Sequence, residues 1–180
     1  MSQSNNNDSA RIAQMVARQL GDRSKNPSQP RRGALVETGR EAPVPIITLM
    51  LYMVKMRAVD EGQPTAFFSP ELSNLQVVNQ LIAIQTGIDQ QHIDEGTITD
   101  DEWRVIDEQV PLLMQAPLYV DDTPKLDPAS LTDKIIALHR DHGVSLVVID
   151  RFETVAYAEA NIKRLAEQLG IVVMTIVDNQ

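Results

Sequence analysis

The 180 residues predict a three-layer α/β domain, with a mostly parallel central sheet flanked by helices. Three observations carry this. Short apolar runs alternate with helical patterns along the chain. The runs TAFFS (residues 65–69), SLVVID (145–150) and IVVMTIV (171–177) are continuously apolar rather than alternating, as strands covered on both faces must be. Polar residues then follow the strands, at Ser69, Asp121 to Thr123, Asp150 and Asp178, where sheets of this kind bind ligands.

Taken in order, residues 34–38 read as a short strand. An apolar helix follows over 46–60 and stops at Gly62. The strand at 65–69 precedes a helix over 71–87 and a short one over 89–96. Thr99 and Glu102 have the spacing of a capping box and open a helix reaching about Met114; the Asp100-Asp101 pair at that helix start reads as a cap. Residues 118–121 form a strand. Asp127 or Ser130 starts a helix that runs to His142 and stops at Gly143. The strand at 145–150, a helix over 158–169 closed by Gly170, and the strand at 171–177 complete the pattern. Ahead of the domain, Ile12, Met15, Val16 and Leu20 follow helical spacing over residues 8–20, which Gly21 ends. Residues 22–32 are Ser/Asn/Pro/Arg-rich and read as a linker. The expected division is thus a flexible basic segment, 1–32, and a core domain, 33–180.

Composition narrows the function classes. Hydrophobic residues make up 43%, a globular value, and no apolar run is long enough for a membrane helix. The Asn-rich start lacks a secretory signal and there are no cysteines, so disulfides, thiolate metal sites and cysteine nucleophiles are excluded and a cytoplasmic location is expected. Net charge is −9 but uneven: residues 1–40 hold seven Lys/Arg against three acids, the remainder nine against 22. So acidic a core is a poor nucleic-acid binder, because that affinity rests on phosphate neutralisation. Arg11, Arg18, Arg31 and Arg32 in the head are the candidate nucleic-acid contacts. His92, His139 and His142 make no ligand set, so no metal site is expected. Asp121 and Asp122, at a strand end, are a weak candidate for Mg²⁺. Ser69 lacks the glycines of a nucleophile elbow.

The segments FFSPELS (67–73), APLYVDDTP (116–124) and HGVSLVVIDRFETV (142–155), in this order and spacing, resemble the RecA-like ATPase domain of DnaB-type, superfamily-4 replicative helicases. ITDDEWRVIDEQV (98–110) and GIVVMTIVDNQ (170–180) support the match, which spans about residues 34–178. The resemblance implies a RecA-like fold and a nucleotide bound between subunits by several parts.

The family's phosphate loop needs glycines for backbone N–H groups that wrap phosphates, a lysine for the outer phosphates and a hydroxyl for Mg²⁺. At the matching place stands ETGREAPVPI (37–46), with Gly39 as its only glycine and Pro43, Val44 and Pro45 where Gly-Lys-Thr should fall. Proline has no N–H to donate. The resemblance further implies that Glu71 matches the catalytic carboxylate and Asp150 the Mg²⁺-holding aspartate. With the phosphate loop gone, Glu71 reads rather as a first-turn helix acid favoured by the dipole. Arg151 beside Asp150 can neutralise it internally. Asp178 stands where the family has a phosphate-sensing glutamine, and the family's later strands, with their DNA loops and arginine finger, are expected to be missing after Gln180.

The resulting expectation is a degenerate, C-terminally truncated, non-catalytic helicase-like domain without cofactor. It would act as a protein-binding or assembly module linked to DNA replication. The stripe Ile12, Met15, Val16 and Leu20 would contact a partner, either a replicative helicase or a second copy of itself. The alternative stays open: a DNA-dependent ATPase or helicase using ATP and Mg²⁺ at an unorthodox site that includes Glu71 and Asp150.

Overall fold

A computed structural model describes residues 35–38, 46–150 and 156–176. The predicted helix over 8–20, the linker and the boundary at residue 32 lie outside them, as do Gly39 to Pro45, Arg151 and Asp178.

Five strands alternate with six α-helices among the described residues. They are β1 (Leu35–Thr38), α1 (Ile46–Lys55), β2 (Thr65–Phe68), α2 (Asn74–Thr86), α3 (Gln90–Glu95), α4 (Asp100–Gln115), β3 (Leu118–Asp121), α5 (Pro128–His142), β4 (Leu146–Ile149), α6 (Ala156–Leu169) and β5 (Val172–Ile176). The strands form one sheet in the order β1-β5-β4-β2-β3, and every pairing is parallel. The chain steps towards β3 from β1 to β2 to β3, then back to β4 and β5. Right-handed crossovers therefore send α1 to α4 to one face and α5 and α6 to the other. The packing agrees: α1, α2 and α4 form one contacting layer, while α5 packs on α6.

The two-sided cover explains the continuous apolar strands. On one face Ala66, Phe68, Val147, Ile149 and Val173 meet Leu131 and Ile135 of α5 and Ile162, Leu165 and Ala166 of α6. The intervening Phe67, Val148 and Met174 turn to the opposite face, where Met50, Leu51, Val54, Val77 and Leu81 are buried. β3, at the edge, is only half-buried throughout.

Helix ends follow the local chemistry. Ser73 and Gln76 form a reciprocal capping box on α2, Thr99 and Glu102 another on α4, and the Asp127 carboxylate caps α5 with Pro128 in its first turn. Gly87 and Gly143 close α2 and α5 in the left-handed region, where only glycine is unstrained.

Four expectations shift. The helix expected from residue 71 begins at Asn74, because Leu72 N–H donates to Ser69 Oγ at 3.0 Å and the Ser73 cap fixes the start beyond that turn. Glu71 is therefore not a first-turn acid; it sits on an exposed bend between β2 and α2. The helix over 46–60 ends in a π-helical turn, Met56–Asp60, held by ion pairs of Lys55 with Asp60 and Arg57 with Glu61. Asp100 and Asp101 lie inside the first turn of α4, where they favour the dipole, while Thr99 does the capping.

At the junction of α3 and α4, His92 Nδ1 lies 2.8 Å from Glu102 Oε1, while Glu102 Oε2 accepts from Thr99 N at 2.9 Å. The Thr99 amide first, then His92, draws the Glu102 carboxyl down to about 2, and Glu102 raises His92 above its ordinary 6.5. Glu102 thus contributes stability that is present above 4.5 and lost as pH falls towards 2. His92 contributes stability that is full below 6.5 and lost as pH rises through its raised value. Thermal melts from pH 3 to 9 should show both limbs, and Glu102→Gln should flatten them; an unchanged pH profile in that variant would refute the assignment. In the core, Ile135→Ala should cost about 2–5 kcal/mol in urea unfolding. Leu75→Ala, on the exposed side of α2, should stay within about 0.5 kcal/mol.

Candidate functional site

The carboxyl ends of the strands gather the polar residues that the sequence singles out. Phe68 pairs with Ile149 and with Asp121, so the next positions, Ser69, Asp150 and Asp122, share the row just beyond the sheet. The chain leaves β2 for one face and β4 for the other. The crevice between these neighbours is the topological switch point, where open α/β sheets bind ligands.

Ser69 and Asp150 meet there. Both are buried, at 1% and 4% exposure. Ser69 Oγ donates to Asp150 Oδ2 at 2.8 Å and accepts from Leu72 N, while Asp150 N donates to Phe68 O at 2.8 Å. A buried carboxylate must be satisfied by donors, and this hydroxyl is one of them. The same hydroxyl shapes the bend that carries Glu71, so β4, β2 and the Glu71 bend are tied at one atom. The sequence marked Asp150 and Ser69 separately and did not pair them. Arg151, expected to neutralise Asp150, lies outside the described residues.

The acidic pair after β3 has structural partners. Asp121 takes hydrogen bonds from Lys134 Nζ of α5 and, at 2.9 Å, from Thr123 N. Burial acts to raise its carboxyl, but the Lys134 ammonium and the Thr123 donors outweigh it, so the group sits below its ordinary value. Asp122 Oδ2 accepts from Asn74 N at 2.8 Å, adding a remote acceptor to the first turn of α2. Lys134 also donates to Thr123 Oγ1 at 3.0 Å. Sequence reasoning missed Lys134. Its signal was faint: it is the one cation in the first two turns of the helix after an acidic strand end.

The histidines are dispersed. His139 Nδ1 sits 2.9 Å from the Val144 carbonyl beyond the end of α5, and His142 stacks on Tyr119 with ring centroids 4.6 Å apart. No grouping of three or more His, Asp or Glu residues suited to a metal ion exists among the described residues. Among them, too, no helix is long and apolar enough to cross a membrane. The phosphate-loop candidates Gly39, Pro43, Val44 and Pro45, the sensor position Asp178, the stripe Ile12, Met15, Val16 and Leu20, and Arg11, Arg18, Arg31 and Arg32 all lie outside the described residues.

Removing the shared hydroxyl should be felt at both strand ends. Ser69→Ala takes a donor from a buried carboxylate and an acceptor from Leu72 N, and should cost about 1–3 kcal/mol by chemical denaturation. Amide exchange at Leu72 should accelerate with it. A variant as stable as the parent, with Leu72 still protected, would contradict the tie.

The geometry agrees with known proteins. The family model of the DnaB-like helicase C-terminal domain matches residues 39–176. A probable replicative DNA helicase of Guillardia theta is 30% identical over 119 residues, covering 66% of this chain and 20% of that protein. The replicative DNA helicase DnaB of Geobacillus stearothermophilus is 25% identical over 133 residues, covering 66% of this chain and 29% of that protein. The chain thus spans between a fifth and a third of these relatives. Among solved structures, a DnaB-like replicative helicase, described with its interactions with primase, superposes with a TM-score of 0.68 at 15% identity, over 81% of this chain and 38% of that one. A second solved structure, an ATPase domain, gives the same TM-score and identity over 57% of its own length. At such identity the structures speak for the fold alone, which is RecA-like; with the family match over most of its length, the chain belongs to the DnaB-like helicase C-terminal domain family.

Proposed function

We propose that this domain is non-catalytic and serves as a protein-binding or assembly module in DNA replication. One observation supports it most. β1 ends at Thr38 and α1 begins at Ile46, and the sequence joining them, Gly-Arg-Glu-Ala-Pro-Val-Pro, holds no Lys-Ser/Thr pair and two residues without an N–H. The first lysine beyond it, Lys55, ends α1 about 14 Å further along the helix and is paired with Asp60. The first turn of α1 is Ile-Ile-Thr-Leu, so Arg40 is the sole cation between β1 and Lys55. Glu37 and Glu41 flank the place where a triphosphate would add further negative charge.

The partner contact proposed for the head uses Ile12, Met15, Val16 and Leu20, towards a replicative helicase or a second copy. Arg11, Arg18, Arg31 and Arg32 offer a nucleic-acid contact whose affinity would fall with salt. A cytoplasmic location goes with this reading.

A second reading, an ATPase with an unorthodox site, draws support from Glu71, exposed two residues beyond the Ser69 that binds Asp150. Calorimetric titration of the full chain with ATP and Mg²⁺ separates the two. The expected outcome is no binding heat. Micromolar binding that Asp150→Ala abolishes would replace the first reading with the second. Light scattering with and without residues 1–32 tests the assembly role. A strict monomer in both forms, with no association with a replicative helicase, would remove it.

A further inference from the structure

Trp103, Asp107, Val110 and Met114 are spaced by four, three and four residues, so they form one line along α4, about 16 Å long. The line runs beside the buried Ile106, which faces the domain. Trp103 is 50% exposed and Met114 81%; Asp107 is exposed and Val110 partly so. This spacing is that of a seam for a second helix packing knobs into holes. Apolar surface of this type, centred on Trp and Met, is enriched at protein interfaces.

Asp107 gives the seam its chemistry. Its carboxylate has no hydrogen-bond or ion-pair partner among the described residues. The only cation on α4, Arg104, donates to Asp101 at 3.1 Å. Four residues on stands Pro111, inside the helix. Its ring nitrogen has no hydrogen to give the Asp107 carbonyl. Asp107 thus presents an exposed carboxylate in the middle of an apolar line, and its carbonyl lacks the usual i+4 donor. A donor-rich cation complements that carboxylate.

We propose that the α4 seam docks a helix of a partner protein whose apolar stripe carries one Lys or Arg, placed to face Asp107. A second copy of the seam does not satisfy it. An antiparallel pairing of two such lines sets Asp107 against Val110 and buries a carboxylate unpaired. Residues 8–20 of this chain do not satisfy it either. On the helix that the sequence predicts there, the stripe of Ile12, Met15, Val16 and Leu20 encloses only the neutral Gln19, while Arg11 and Arg18 flank its Met15 edge rather than standing at its centre. Such docking presupposes that the domain is a binding module and names the kind of partner; nucleotide binding by the chain would overturn the non-catalytic reading while leaving the seam to be judged separately.

Trp103 is the only tryptophan and reports on its own coverage. The full chain is titrated with two tryptophan-free, 18-residue amphipathic helices, identical except for Lys or Glu at the centre of a leucine stripe. The Lys-centred peptide should shift Trp103 emission to the blue saturably, and the Glu-centred one should bind about tenfold more weakly. Asp107→Lys, at an exposed position, should reverse that order, whereas Glu167→Lys on α6 should leave it unchanged. Melting curves confirm that both variants fold. Equal affinities for the two peptides, an order that Asp107→Lys does not reverse, or an absent emission shift would each overturn the proposal. So would tighter binding by a peptide of residues 8–25, which would assign the seam to this chain's own head, or a dimer whose Trp103 emission is already shifted.

Discussion

β4 has a strand on either side and a helical layer over each face, so none of its four residues reaches water. Everything else in the fold answers to that position. A strand covered on both faces has to be apolar throughout and β-branched where it can be, and Leu-Val-Val-Ile meets the demand. It also has to end abruptly, because the next residue is Asp150. A carboxylate at the mouth of an apolar slot needs donors close by, and the neighbouring strand supplies one through Ser69 at the same register. The hydrogen bond is therefore a condition for burying β4 to its last residue. It also forces β2 to finish in a hydroxyl and to leave by a bend.

The carboxyl edge of the sheet is held together by its own polar groups. Asp121 is engaged by Lys134 and Thr123, Asp122 by the first turn of α2, and Ser69 by both Asp150 and Leu72. These bonds link β3 to α5, β3 to α2 and β2 to β4, so they brace the loops on which any chemistry would stand. A brace of this kind stabilises the rim whether or not a nucleotide ever occupies it. Acids at strand ends can thus serve the fold itself, by joining neighbouring elements.

Much of the architecture was legible because the signals were local. The continuous runs at 65–69 and 145–150 follow from two-sided burial, and the boxes at Thr99 and the cap at Asp127 need only four consecutive residues. Strand order was not legible in periodicity, since pairing β1 with β5 is a property of crossovers rather than of any window. The α2 start was misread for a related reason. Ser73 and Gln76 form a capping box, yet Glu71 is equally acceptable as an early helix residue, and the Ser69–Leu72 turn that decides between them depends on Asp150, eighty-one positions away in the sequence. Lys134 escaped in the same way. Its partner Asp121 lies on another element, and nothing in the spacing of an exposed lysine reveals where its ammonium reaches. The loss of a helical donor at Pro111 can be seen in the sequence only once α4 is known to run through that proline.

The pairing of β1 with β5 also bears on how the molecule comes into being. Leu35 aligns with Val173 and Thr38 with Ile176, so among the described strands the first finds its neighbour in the last. During synthesis β2, β3 and β4 can assemble with their helices while β1 is already outside the ribosome and still unmatched. Until β5 arrives, β4 has an open flank and β1 an exposed backbone, both templates for mispairing. Pairings this remote in sequence are slow to form. The four residues of β1, of which two are Glu37 and Thr38, are short and polar for a strand, which limits how readily they seek another sheet while they wait.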